Sequence, residues 1–98
     1  MLPRLSVPVD RIRGAYGVVV VGSGYGGAIA ASRLARAGAD VCLLERGREL
    51  RPGEFPDTRL EAARELQLHT ADGHYGSRTG LFDFWRNREM NALVGCGL

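Results

Sequence analysis

The sequence has no lysine: all 13 of its basic residues are arginine, set against 11 Asp and Glu in 98 residues. A phosphate site in this chain therefore has to be built without an ammonium group. The formal net charge of +2 is small, and the arginines are scattered rather than gathered into a stripe, so a nucleic-acid partner is not indicated. Cysteine is sparse as well. Cys42 and Cys96 are far apart and show no metal-ligand spacing, so no metal is expected. Such sparse usage is compatible with a reducing compartment. Long apolar runs are missing: Val18–Val21 is far too short to span a membrane. The stretch Met1–Asp10 is broken by Pro3 and Pro8 and lacks an apolar h-region. It does not read as a secretory signal, and a cytoplasmic location is expected. There is no internal repeat and no low-complexity tract.

What remains is a single small globular domain at most, with ordinary apolar content and a thin margin of stability. Residues 1–15, with two prolines and three arginines, read as a disordered tail. Tyr16 to Val21 is a β-branched run closed by Gly22. It shows no polar alternation, which predicts a strand covered on both faces. Gly24 to Gly27 reads as a tight turn, and Ala28 to Ala37 as a helix. Arg33 and Arg36 sit near its negative end, and Gly38 stands where a left-handed cap is wanted. Val41-Cys42-Leu43-Leu44 forms a second strand, ending in Glu45. Strand, turn, helix and strand within this span predict a parallel β-α-β unit.

Beyond Gly47 the pattern loosens. Residues 47–56 carry Pro52, Gly53 and Pro56 and read as a loop. Thr58 and Glu61 have capping-box spacing and predict a helix to about Leu68, with Leu60, Ala63 and Leu66 or Gln67 on one face. Residues 69–80 read as a long connection. Leu81–Trp85 and Asn91–Val94 predict two short strands around a polar turn. The fold class is thus α/β: a Rossmann-like β-α-β unit for FAD or NAD(P), incomplete, with a loop-rich extension and a short hairpin.

Gly22-Ser23-Gly24-Tyr25-Gly26-Gly27 matches G-x-G-x-x-G. Each of the motif glycines serves a separate purpose. Gly22 permits the sharp turn, Gly24 the close approach of backbone to a pyrophosphate, and Gly27 the close packing of helix on strand. The helix start then offers N–H groups and a positive dipole end to the phosphates. Glu45 lies at the end of the second strand, where a carboxylate accepts hydrogen bonds from a ribose diol and repels a 2′-phosphate. That argues against NADP. The motif alone does not separate FAD from NAD.

The stretches VVVVGSGYGGAIAASRLARAGADVCLLERG and NALVGCGL together resemble the N-terminal part of the glucose–methanol–choline (GMC) oxidoreductases, and most closely their cholesterol-oxidase branch. The resemblance implies an FAD-dependent enzyme that oxidises CH–OH groups of alcohols or sterols, with hydride transfer to FAD and O2 as acceptor. It implies that Gly22, Gly24 and Gly27 meet the pyrophosphate, with Ser23 and Tyr25 lining the turn and Gly26 giving the backbone room. Glu45 would hold the adenosine ribose and Arg46 would lie beside the adenine. Gly95, Cys96 and Gly97 would open a second FAD loop, which in the family continues into Gly-Gly-x-Ser. Residues 16–98 would then be the N-terminal part of an FAD-binding domain. The family's catalytic His and Asn have no match at His69 or His74, so no catalytic residue is nominated, and the chain reads as a fragment of a longer enzyme.

Two other readings stand beside this one: a nicotinamide-dependent dehydrogenase domain with the same fingerprint, and an inert fragment. His69 and His74 read as surface residues of the 69–80 connection. Cys42 reads as a small buried hydrophobe and Cys96 as a tolerant loop position, with a covalent flavin link the sharper alternative. Phe82, Phe84 and Trp85 read as core aromatics. Glu61 and Glu65 read as a solvated helix face, and Arg48 and Arg51 as a solvated loop.

Overall fold

The computed structural model describes residues 3–97. Met1 and Leu2 of the expected tail and Leu98 of the second motif lie outside the described residues. Contacts divide the chain into two units, Met1–Glu45 and Arg46–Leu98.

The first unit is a parallel β-α-β. Strand β1 (Val18–Val21) pairs with β2 (Val41–Leu44) in the register Val18↔Val41 to Val21↔Leu44, and α1 (Tyr25–Arg36) connects them. Backbone bonds from Val18 N to Asp40 O (3.0 Å) and from Gly22 N to Leu44 O (2.7 Å) extend the ladder at both ends. The helix begins at Tyr25 rather than at 28, because Ala28 N already bonds to Gly24 O at 2.8 Å. The expected turn is therefore confined to Gly22–Gly24, and Gly26 and Gly27 sit in the first helical turn. At the other end, Ala39 N bonds to Leu34 O and Gly38 N to Ala35 O, both at 3.0 Å, with Gly38 at φ +90°. This is the paired 6→1 and 5→2 closure that a left-handed glycine makes possible.

Helix α1 covers one face of this two-stranded sheet. Ala31 is buried, and Val18 and Val20 are half-buried. Val19 is 52% exposed and Val21 83%. The expectation of cover on both faces does not hold within the unit, because it has a single helix and that helix lies on one side. Before β1, Val9–Arg11 makes one 3-10 turn, and Arg13 reaches Asp40 at 2.6 Å with its guanidinium 4.2 Å from the Tyr16 ring centroid. Both members of this ion pair are more than half exposed, so it adds little stability.

The second unit is a mixed four-stranded sheet in the order β4-β3-β5-β6. Strands β3 (Leu66–Thr70) and β5 (Phe82–Arg86) are parallel at its centre. β4 (Gly73–Gly76) and β6 (Asn91–Gly95) flank them antiparallel. The β5–β6 hairpin agrees with the sequence reading. The β3–β4 hairpin replaces the long connection expected at 69–80. Helix α2 (Arg59–Arg64) has the full Thr58/Glu61 capping box but stops well before Leu68. The chain leaves the helix because Leu66-Gln67-Leu68-His69-Thr70 pairs on both sides as a strand. Among the described residues no helix is long and apolar enough to cross a membrane.

Gly27 fixes how closely α1 approaches β1. A Cβ there would collide with the carbonyl oxygen of Gly22, whereas one on Gly26 meets no atom within 4 Å. Gly27→Ala is expected to lower stability by about 1–3 kcal/mol. Gly26→Ala, in open space on a helix, is expected to raise it by up to about 1 kcal/mol. Chemical denaturation followed by far-UV circular dichroism checks both.

Candidate functional site

In the first unit the glycine turn and the end of β2 form one polar locus. Of the three motif glycines, two are required by the fold itself. Gly22 has φ +92°, a conformation that side chains rarely adopt. Gly27 is demanded by packing against Gly22. Gly24 is demanded by neither: its φ is −61°, and a Cβ there would meet no atom of the chain within 4 Å. The space over Gly24 is left clear although the fold has no use for it.

No side chain of its own first turn caps α1. Gly24 is the N-cap and makes no side-chain cap bond, and the first turn contains no acid. The positive end of a helix of 12 residues thus carries no anion from its own first turn, and such an end stabilises negative charge. Beside it, the Glu45 carboxylate folds back onto the turn. Its Oε2 accepts from the Ser23 N–H at 3.0 Å and from the Ser23 Oγ–H at 2.5 Å. Tyr25 is almost fully exposed at the helix start.

The remaining expected site residues belong to the second unit. Arg46 Nη2 donates to Asp83 Oδ2 at 2.5 Å. Hydrogen bonding to Asp83, helped by the nearby Cys96 side chain, holds the Arg46 pKa above its usual value against some burial. Cys96 is buried, its N–H donating to Leu81 O at 2.8 Å. A Cβ on Gly47 would strike the backbone of Gly97, so the chain after Arg46 lies directly against the 96–97 segment. A Cβ on Gly95 would meet nothing within 4 Å. Arg48 pairs with Glu65, whose Oε2 also accepts from Leu81 N at 3.0 Å. Arg48 stays exposed, whereas Glu65 is not the plain solvated group expected of it.

Sequence reasoning missed the polar cluster on one face of the second sheet. Gln67 and Asp83 are each only 1% exposed, the most buried side chains described. Their cross-strand register is direct, as is that of His69 with Trp85 and with His74. The Gln67 amide donates to Gly80 O at 2.9 Å, which turns its Oε1 toward His74 Nε2 at 3.0 Å. An amide oxygen only accepts, so His74 carries its proton on Nε2. His69 stacks on Trp85 with centroids 3.7 Å apart and lies edge-on to His74 at 4.4 Å. Its Nε2 stands 2.8 Å from Asp83 Oδ1, but out of line for a hydrogen bond, and both atoms are buried without another partner. The two histidines are therefore not the surface residues expected of a connection. Among the described residues no group of three or more His, Cys, Asp or Glu side chains is placed to hold a metal ion. The Asp72-Gly73 pair at the β3–β4 turn was the available signal for this hairpin.

Residues 20–85 match the family described as NAD(P)-binding Rossmann-like domain. An uncharacterised GMC-type oxidoreductase of Mycobacterium tuberculosis is 60% identical over 40 residues, 41% of this chain and 6% of that protein. The long-chain-alcohol oxidase FAO1 of Arabidopsis thaliana is 34% identical over 84 residues, 82% of this chain and 11% of its own length. The 6'''-hydroxyparomomycin C oxidase of Streptomyces lividus is 37% identical over 66 residues, 67% of this chain and 12% of its own. The chain thus spans only a small part of the relatives it matches. No solved structure matches it significantly.

The histidine cluster predicts a pH dependence. The His74 pKa lies below the usual imidazole value of 6.5, first because of burial and then because of His69. The unfolded chain therefore binds more protons there, so this contribution is complete above 6.5 and is lost as pH falls through the lower folded value. For Asp83, burial pushes the pKa up, but hydrogen bonding by Arg46 and Trp85 outweighs it and holds the carboxyl below 3.8. Its contribution is complete above 3.8 and is lost only in stronger acid. The melting temperature is expected to fall between neutral pH and about pH 5, and His74→Asn to flatten that slope. Thermal melts across the range check this.

Proposed function

The chain belongs to the NAD(P)-binding Rossmann-like family, and from that premise we propose that residues 16–98 bind the adenosine-diphosphate half of FAD within a GMC-type, flavin-dependent oxidoreductase. The observation that carries the reading is the pairing of a clear space over Gly24 with an acid, Glu45, held at the same turn. A diphosphate fits the first and a ribose diol the second.

The residues of the first unit divide the work. Backbone N–H groups of Gly24 to Gly27 at the start of α1 bind the diphosphate, with no cationic side chain required. Gly22 and Gly27 set the turn and the helix so that those groups converge. Glu45 takes the ribose hydroxyls, and its charge opposes a 2′-phosphate. Ser23 and Tyr25 flank the turn. The assignments of Arg46 to the adenine side and of Gly95, Cys96 and Gly97 to a second loop are supported by the resemblance of the 18–47 and 91–98 stretches, respectively, to GMC enzymes. FAD, when bound, supplies the hydride acceptor.

FAD is favoured over a nicotinamide by relatives named GMC-type oxidoreductase and alcohol oxidase. Their names also support an alcohol CH–OH group as the substrate and O2 as the acceptor. Those relatives are named for long-chain alcohols and for 6'''-hydroxyparomomycin C rather than for a sterol, so we place the substrate among alcohols generally, with sterols one member of that class. The second reading is NAD binding, favoured by the description of the matched family.

Titration of the purified chain with FAD, ADP and NAD tests the adenosine-diphosphate site that both readings share. FAD and ADP are expected to bind with similar affinity, since the chain reads mainly the shared half. Gly24→Ser is the sharper test. Serine is a slightly better N-cap than glycine, so stability is expected to hold or rise by a few tenths of a kcal/mol. The new side chain would occupy the diphosphate's space, and affinity is expected to drop at least about tenfold. Unchanged ADP affinity in this variant would overturn the assignment.

A further inference from the structure

We propose that Ser23 is a positioning residue: it fixes the Glu45 carboxylate and thereby makes the site prefer an adenosine ribose with a free 2′-hydroxyl over one with a 2′-phosphate. The inference rests on the dinucleotide reading and adds to it the residue that enforces its selectivity.

The geometry begins with the ladder. Gly22 N to Leu44 O, at 2.7 Å, is a backbone bond that joins the end of β1 to the end of β2. Ser23 and Glu45 each lie one residue further along. There the ladder continues in altered form, with a side-chain carboxylate taking both the Ser23 amide, at 3.0 Å, and the Ser23 hydroxyl, at 2.5 Å, on the same oxygen. Two donors from one residue onto one oxygen restrict both the position and the plane of the carboxylate. Hydroxyl-to-carboxylate bonds of this length belong to the strong, charge-assisted class. Glutamate otherwise carries substantial rotamer freedom, all of which has to be given up to hold a ligand.

Held at the turn, the charge of Glu45 is a fixed feature of the site. A sugar hydroxyl can donate to it. A 2′-phosphate, with close to two negative charges, has to be placed against it. A mobile carboxylate would swing away from a phosphate and lose the discrimination, while also offering a diol less. Ser23→Ala keeps the amide bond and removes the stronger one.

The experiment measures the affinities of the full chain for ADP and for ADP carrying a 2′-phosphate, which differ in that group alone. The wild type is expected to prefer ADP. In Ser23→Ala that preference is expected to shrink about tenfold, through weaker ADP binding and unchanged or tighter binding of the phosphorylated analogue. Ser23→Thr, which keeps the hydroxyl, restores the preference. Ser23→Cys, nearly isosteric with a weak donor, repeats the loss and serves if the alanine variant fails to fold. A merely structural serine would lower both affinities together and leave their ratio alone, which overturns the inference while the dinucleotide reading stands. Failure of the wild type to bind either nucleotide overturns both.

Discussion

The tightest constraint in the first unit is the contact between the α-carbon of Gly27 and the carbonyl of Gly22, where no side chain fits. It presses the start of α1 onto the end of β1. With the helix that close, the connecting turn has to be short and to use the left-handed conformation at Gly22. The short turn carries Ser23 past the Gly22–Leu44 rung of the ladder, opposite Glu45, and leaves Gly24 with open space where a side chain would stand. Helix dipole, cleared backbone and oriented acid thus follow from one close approach.

The two units differ in what lies inside them. In the first, a single buried alanine and a half-buried row of valines sit under one helix. In the second, the most buried side chains are an amide and a carboxylate. Buried polar groups are costly unless partnered. Gln67 is satisfied by Gly80 and His74, and Asp83 by Arg46 on one oxygen, with His69 close by on the other. That network ties β3, β4 and β5 to the segment after Glu45. It resembles a specificity device more than a source of stability, since replacing such a network by apolar groups is often neutral.

The β-α-β unit was legible because its signals are local. The valine run, the glycine spacing, the alanine-rich helix and Gly38 each dictate a backbone conformation with little outside help. The capping box at Thr58 was legible for the same reason. In the second sheet the β5–β6 hairpin was legible but β3 and β4 were not, because those two strands are defined by partners. Leu66–Thr70 follows directly on a helix, contains polar residues at alternate positions, and becomes a strand only by pairing with both β4 and β5. Its alternation places Gln67 and His69 inward, the reverse of the usual pattern, so periodicity pointed away from a core. In the site, residue types and spacing named Glu45, but only the folded geometry shows that Ser23 holds it. Likewise nothing in the order of residues foretells that Arg46 is anchored by an acid far along the chain, or that Gly47 and Gly97 touch.

The stacking of Trp85 on His69 carries a spectroscopic consequence. Trp85 is the only tryptophan in the chain, and it lies in the second unit, parallel to the imidazole at 3.7 Å. Fluorescence excited at the indole band therefore reports the integrity of the β3–β5 pairing, and is silent about the β-α-β half. Tyrosine absorbance is weighted the other way, since Tyr16 and Tyr25 lie in the first unit and only Tyr75 in the second. The unmodified polypeptide thus carries two optical handles of unequal reach, and the melting of its halves can be compared without adding a label.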